Sequence, residues 1–121
     1  MSQHIRIGRL GEDLAANALC AQGYRVVERN WRCREGEIDL VTRDAEAWVF
    51  VEVKTRRGRH VEWAEESLKP DKIARLTLLA QTYLADRMLG NVDWRIDFVS
   101  VVLDRDNSLD SLCVTKALTV D

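Results

Sequence analysis

The chain has 121 residues, 46% of them hydrophobic and 31% charged, with one proline and six glycines. That is one domain's worth of chain, expected to span residues 1–121, and the composition excludes disordered, fibrous and disulfide-stapled classes. The net charge of -2 hides an asymmetry, because residues 1–60 carry 11 basic and 9 acidic side chains while residues 61–121 carry 7 and 11.

The bases of the first half gather into two runs, Arg25, Arg29, Arg32, Arg34 and then Lys54, Arg56, Arg57, Arg59 with His60. Local patches of this kind act on a polyanion more than the total charge does, or they are solvated loop ends; charge alone leaves both readings open. Cys20, Cys33 and Cys113 form no Cys-x-x-Cys pair and the two histidines lie far apart, so zinc and redox motifs have no support. No apolar run reaches the roughly 20 residues of a membrane helix, and Arg6 and Arg9 flank Gly8 where a signal peptide would be hydrophobic, so a cytoplasmic location is expected.

In chain order, Ile7, Leu10, Leu14, Ala18 and Ala21 are spaced as one stripe of a helix over about 7–22, with Gly23 as its stop. Tyr24 to Glu28 predicts a short strand, and residues 30–36 carry turn-forming and charged residues. Glu37 to Thr42 predicts a second strand, Arg43-Asp44-Ala45-Glu46 a hairpin turn, and Trp48 to Lys54 a third strand whose apolar residues on both parities mark it as central. Pro70 suits the first position of a helix carried by Ile73, Leu76, Leu79, Ala80, Tyr83 and Leu84 to about Met88. Arg95 to Leu103 predicts a strand, and after the polar turn at 104–108 a last edge strand is expected over Leu112 to Leu118. The order α-β-β-β-α-β-(β) predicts an α/β fold, a central mixed β-sheet flanked by helices.

Charge on these strands points to chemistry. Glu52 and Lys54 project from the same face at the end of the apolar run Trp48-Val49-Phe50-Val51, where an unpaired buried charge costs several kcal/mol. They are either an ion pair at a strand end or part of a site. Asp39, flanked by Ile38 and Leu40, falls close to Glu52 if the two strands pair through the turn at Asp44. Converging carboxylates repel unless a cation lies between them, and hard oxygen donors without histidine or thiolate select Mg²⁺ or Mn²⁺. A lysine beside them can orient a water and neutralise charge developing on a phosphoryl group.

Gly36-Glu37-Ile38-Asp39-Leu40 followed by Val49-Phe50-Val51-Glu52-Val53-Lys54-Thr55-Arg56 resembles the Asp…Glu-x-Lys core of the restriction-endonuclease-like nucleases. More closely, the chain resembles the YraN-like family of small bacterial proteins, distant relatives of archaeal Holliday junction resolvases. Gly11-Glu12, Gly23-Tyr24, Arg29-Asn30, Glu66-Ser67, Lys72 and Arg95-Ile96-Asp97 also match that family's pattern. Two departures are Ile38, in place of the proline of the wider nuclease motif, and Val61-Glu62, where Phe-Gly is common.

The resemblance implies a restriction-endonuclease-like core with Asp39 and Glu52 as ligands of Mg²⁺ or Mn²⁺ and Lys54 as the catalytic lysine. It also implies that Glu12 reaches the site from the first helix, although a first-turn acid serving the helix dipole is equally compatible with its place. Arg56, Arg57, Arg59 and Lys72 are candidate nucleic-acid contacts, with a solvated helix residue as the alternative for Lys72. Glu37 is a candidate supporting group, and Arg95 and Asp97 either support the site or pair with each other. Trp31 and Trp63, in segments read as polar loops, are candidate base-stacking residues.

DNA is the expected partner, with a second copy of the chain as a further candidate and neither a membrane nor an organic cofactor. The implied function is a metal-dependent endonuclease hydrolysing DNA phosphodiester bonds, on branched DNA by analogy with the resolvases. The alternatives are a nucleic-acid-binding module with little or partner-dependent activity and a structural protein of the same fold, since fold alone does not decide function.

Overall fold

A computed structural model describes residues 3–58 and 69–118. Arg59, His60, Val61-Glu62, Trp63 and Glu66-Ser67, singled out in the sequence, lie outside the described residues.

Among the described residues the elements are α1 (Gln3–Ala21), β1 (Arg25–Cys33), β2 (Gly36–Asp44), β3 (Ala47–Arg57), α2 (Pro70–Asp86), β4 (Trp94–Leu103) and β5 (Leu109–Thr115). This is the order α-β-β-β-α-β-β that the pattern predicts. The five strands form one sheet in the order β1-β2-β3-β4-β5, with β3 at its centre. Only β3 and β4 run parallel, as a strand–helix–strand connection through α2 allows, and the other neighbours are antiparallel. The sheet is therefore mixed. No helix among the described residues is long and apolar enough to cross a membrane.

Each helix covers one face. On the α1 face, Ala15, Leu19 and Tyr24 pack with Leu40, Val49, Val51, Val99, Val101 and Leu103. On the other, Leu79, Ala80, Tyr83 and Leu84 of α2 pack on Ile38, Val41 and Phe50. Tyr83 is the hub of that second layer, with its ring 5.1 Å from Trp31, 5.5 Å from Phe50 and 6.0 Å from Trp48. Edge-on and tilted contacts of this kind add stability beyond the area they bury.

Three expectations need correction. The buried stripe of α1 is Ala15, Ala16 and Leu19, supported by Ile7, Leu10 and Leu14, whereas Ala21 is exposed because it sits at the helix end beside the turn to Gly23. The segment read as a turn from Asn30 is strand up to Cys33: its pairing with β2, Arg29↔Leu40 and Trp31↔Ile38, overrides the turn preference of its residues. The last strand begins at Leu109 and ends at Thr115, because the turn after β4 closes through the Asp104 side chain, whose Oδ1 accepts from the Asp106 and Ser108 N–H groups.

The feature that shapes the molecule is a fork. β2 and β3 pair from Asp44↔Ala47 to Leu40↔Val51 and no further. Beyond that point β2 stays with β1 to the hairpin at Cys33↔Gly36, while β3 stays with β4 to Arg57↔Leu103. The sheet thus opens into two arms, and Asp39 and Glu52 are the first residues past the last pair.

Candidate active site at the fork of the sheet

At the fork the strands replace a backbone ladder with side chains. The Val53 N–H donates to Asp39 Oδ2 at 2.8 Å. A strand donor is thereby satisfied, and the carboxylate is fixed where the arms part. The pleat is irregular here, since Leu40 belongs to the α1-face cluster but Ile38, two residues earlier, belongs to the α2-face cluster. On β1, Asn30 lies between the pairs Arg29↔Leu40 and Trp31↔Ile38 with a left-handed φ of 53°, a conformation asparagine tolerates better than most side chains.

The Asp39 carboxyl is pushed up to about 9, first by burial, then by the charge of Glu52 and a side-chain hydrogen bond with it; the Val53 N–H works in the opposite direction. Two carboxyl groups in such contact hold either a proton or a cation between them. Glu52, with 13% of its side chain exposed, is bridged at 2.9 Å by Lys72 Nζ from the first turns of α2. Glu12 enters from α1 with 15% of its side chain exposed. Its Oε1 accepts from Asn30 Nδ2 at 3.0 Å and lies 3.9 Å from Arg29 Nη2. Burial, the largest cause, raises the Glu12 carboxyl above the usual carboxylate range, opposed by the Asn30 hydrogen bond, and the charge of Glu37 adds to the rise. Glu12 also contributes to the upward shift of Asp39, so the three acids share one electrostatic environment.

Gly11 explains how α1 brings Glu12 so near. A Cβ on Gly11 would stand 1.7 Å from Thr55 Oγ1 and 2.7 Å from Thr55 Cβ, so only glycine lets the helix touch β3 next to Lys54. Lys54 is half-buried, and among the described residues it makes no ion pair. The carboxylate two residues before it is bridged by Lys72 instead, which departs from the reading of Glu52 and Lys54 as a strand-end pair. Lys72 therefore touches the acidic fork itself.

The other candidates are placed as follows. Glu37 accepts from Arg32 Nε at 2.9 Å. Arg57 donates to Asn107 at 2.7 Å, and Arg56 is half-buried with contacts of its own. Arg95 and Asp97 pair at 3.0 Å and share further hydrogen bonds with Tyr24, at 2.7 Å to Asp97 and 3.1 Å to Arg95, and with Asp44 at 2.8 Å. The Ala117 N–H also donates to Asp97. This network ties the residue before β1, β2, β4 and the chain after β5 together, and among the described residues none of its hydrogen bonds goes to Asp39 or Glu52. Trp31 is not a loop aromatic: it stands on β1 against Tyr83, because the apolar face of α2 gives its ring more contact than solvent would.

Among the described residues no three His, Cys, Asp or Glu side chains converge as a ready-made metal site. The donor set that fits a hard divalent cation is the Asp39–Glu52 pair, whose mutual repulsion a cation would relieve. The sequence pattern put Arg29 in a basic run and Asn30 in a turn-forming segment and gave neither of them, nor Gly11, a place at the acidic site, although all three stand in the pattern of the resemblance. Their roles depend on the approach of α1 to the fork, which no local periodicity encodes.

Comparison with known proteins places the chain in a family. The model of the uncharacterised protein family UPF0102 matches residues 11–101, which include Glu12, Asp39, Glu52, Lys54 and Lys72. A UPF0102 protein of Syntrophus aciditrophicus is 43% identical over 103 residues, covering 85% of this chain and 81% of that protein. Relatives from Roseiflexus castenholzii and Streptomyces griseus are each 50% identical, over 97 and 101 residues, covering 79% and 82% of this chain and 78% and 84% of theirs. The chain belongs to the UPF0102 family.

Proposed function

We propose that the chain is a divalent-cation-dependent endonuclease hydrolysing DNA phosphodiester bonds at the fork of its sheet. The observation that carries this reading is the contact between Asp39 and Glu52 at the point where β2 and β3 part, with a half-buried lysine two residues farther along β3. A cation held by Asp39 and Glu52, Mg²⁺ or Mn²⁺ from the hardness of the donors, supplies Lewis acidity to a phosphoryl oxygen. The Lys54 ammonium neutralises the charge that builds on the phosphoryl oxygens as water attacks phosphorus and the P–O bond to the departing sugar oxygen breaks. Glu12, held by Asn30, raises the negative field that attracts the cation.

Lys72 bridges Glu52, and a cation bound by Glu52 would compete with that bridge. That same bridge supports the second reading, a nucleic-acid-binding module whose acids are neutralised internally. Branched DNA is the substrate to test first, on the likeness to the resolvases. The experiment is cleavage of linear, flapped and four-way DNA by the purified chain with Mg²⁺, Mn²⁺ or a chelator. Cleavage that depends on the cation is expected; DNA binding without cleavage under every condition would favour the module.

A further inference from the structure

The β1–β2 arm of the fork carries a cavity of about 470 Å³, lined by residues 32–37 of the hairpin and by Arg75 of α2. Arg75 follows Lys72 by one helical turn, so the two cations lie on one side of α2, Lys72 toward Glu52 and Arg75 toward the hairpin. The Arg75 guanidinium lies over the backbone of Gly36, near enough that a Cβ there would come within 3.3 Å of its Nη2. Gly36, at a φ of +150°, has no Cβ to crowd that approach.

Of the cavity's charges, Arg32 and Glu37 neutralise each other at 2.9 Å. Arg34 and Arg75 are exposed, and among the described residues neither has a carboxylate within ion-pair distance. Glu35 at the hairpin tip is the remaining charge and is exposed, so the cavity lining keeps a net positive charge. On the opposite arm Arg57 is engaged by Asn107 and Arg56 has contacts of its own. Among the described residues of the two arms, the uncommitted guanidinium groups are therefore on the hairpin side.

We infer that Arg34 and Arg75 form a phosphate-binding subsite that grips the backbone of the nucleic acid reaching the acidic fork. The inference rests on the nuclease reading for the identity of its ligand. Two planar guanidinium groups lining one cavity suit the bidentate recognition of phosphodiester oxygens. The contact is to backbone, so it positions DNA without reading its sequence.

The test is fluorescence anisotropy of a labelled duplex and a four-way junction, in chelator so that no strand is cut, between about 50 and 200 mM salt. The proteins are the full wild-type chain, Arg34→Ala/Arg75→Ala, and a charge-matched Arg25→Ala/Arg105→Ala, both of whose sites are exposed. Loss of two phosphate contacts lowers the slope of log affinity against log salt by roughly 1.8 for duplex DNA, about 0.9 per contact. That change is expected in Arg34→Ala/Arg75→Ala, with less than half of it in the charge-matched variant. Equal slopes in the two variants would overturn the subsite while leaving the nuclease reading intact. Failure of the wild type to bind any DNA would overturn both. Circular dichroism of the three proteins confirms that the exposed substitutions leave the fold unchanged.

Discussion

Asp39 is held half-buried by the Val53 N–H and against Glu52, and both its burial and its neighbour favour the protonated form. With the carboxyl raised from 3.8 to about 9, the stability that accompanies a neutral Asp39 is whole below about 3.8 and declines as pH rises. It is lost once pH passes about 9. Thermal melts of the cation-free protein should therefore fall steadily from pH 5 to pH 9, and Asp39→Asn, which has no proton to lose, should flatten the decline. At pH 8, Mn²⁺ at a hundred times its dissociation constant should stabilise the wild type by about 2.7 kcal/mol and leave Asp39→Asn unmoved. Lys72→Ala tests the other side of the pair. A bridge whose lysine is 41% exposed is worth about 0–1 kcal/mol, so stability should drop little, while calorimetry should show tighter Mn²⁺ binding because no ammonium competes for Glu52. Asp39 and Glu52 were legible as partners because a hairpin fixes its register by counting back from the turn. Lys72 was not legible as Glu52's partner: it comes 20 positions later, on another element, and nothing in its local pattern names a contact.

At the scale of elements, the site exists because β2 and β3 stop pairing and α1 lies close across the opening. Gly11→Ala would gain about 1 kcal/mol of helix propensity at an open position, yet its Cβ would meet Thr55 at 1.7 Å, and overpacking of that kind costs about 1–3 kcal/mol. A net loss of stability is expected, together with weaker Mn²⁺ binding as α1 lifts Glu12 away from the fork. Thr55→Ala in the same chain should recover only part of both, since the Thr55 Cβ stays within 2.7 Å. The strand–turn error at 30–33 has the same origin as the site. Asn30 and its charged neighbours carry turn preference, and the structure uses that preference for one left-handed residue inside a continuing strand. The helix α2, by contrast, was legible almost residue by residue, because its buried positions Ile73, Leu76, Leu79, Ala80, Tyr83 and Leu84 keep the helical period throughout.

Across the whole molecule, polar groups divide into two sets with different work. The network of Tyr24, Asp44, Arg95 and Asp97 fastens distant parts of the chain around a fully buried carboxylate. There, burial and the contact with Asp97 push the Tyr24 hydroxyl up to about 12, so it stays a donor at any physiological pH. Tyr24→Phe leaves Asp97 short of a donor and should cost about 1–3 kcal/mol in denaturant titration, with Mn²⁺ affinity unchanged. At the fork the effects should fall on function: changes at Glu12, Asp39, Glu52 and Lys72 should move cation binding, and a change at Lys54 should move turnover.

Lys54 separates chemistry from binding most directly, since its place is beside the acids and among the described residues it pairs with none of them. The measurement is single-turnover cleavage of four-way DNA with Mn²⁺ by wild type and Lys54→Ala, alongside Mn²⁺ calorimetry on the same preparations. Cleavage by the wild type, its loss in Lys54→Ala, and nearly equal Mn²⁺ affinity in the two are expected, because the missing interaction is made in the transition state. Equal cleavage by both proteins, or none by the wild type, would overturn the nuclease reading of the fork.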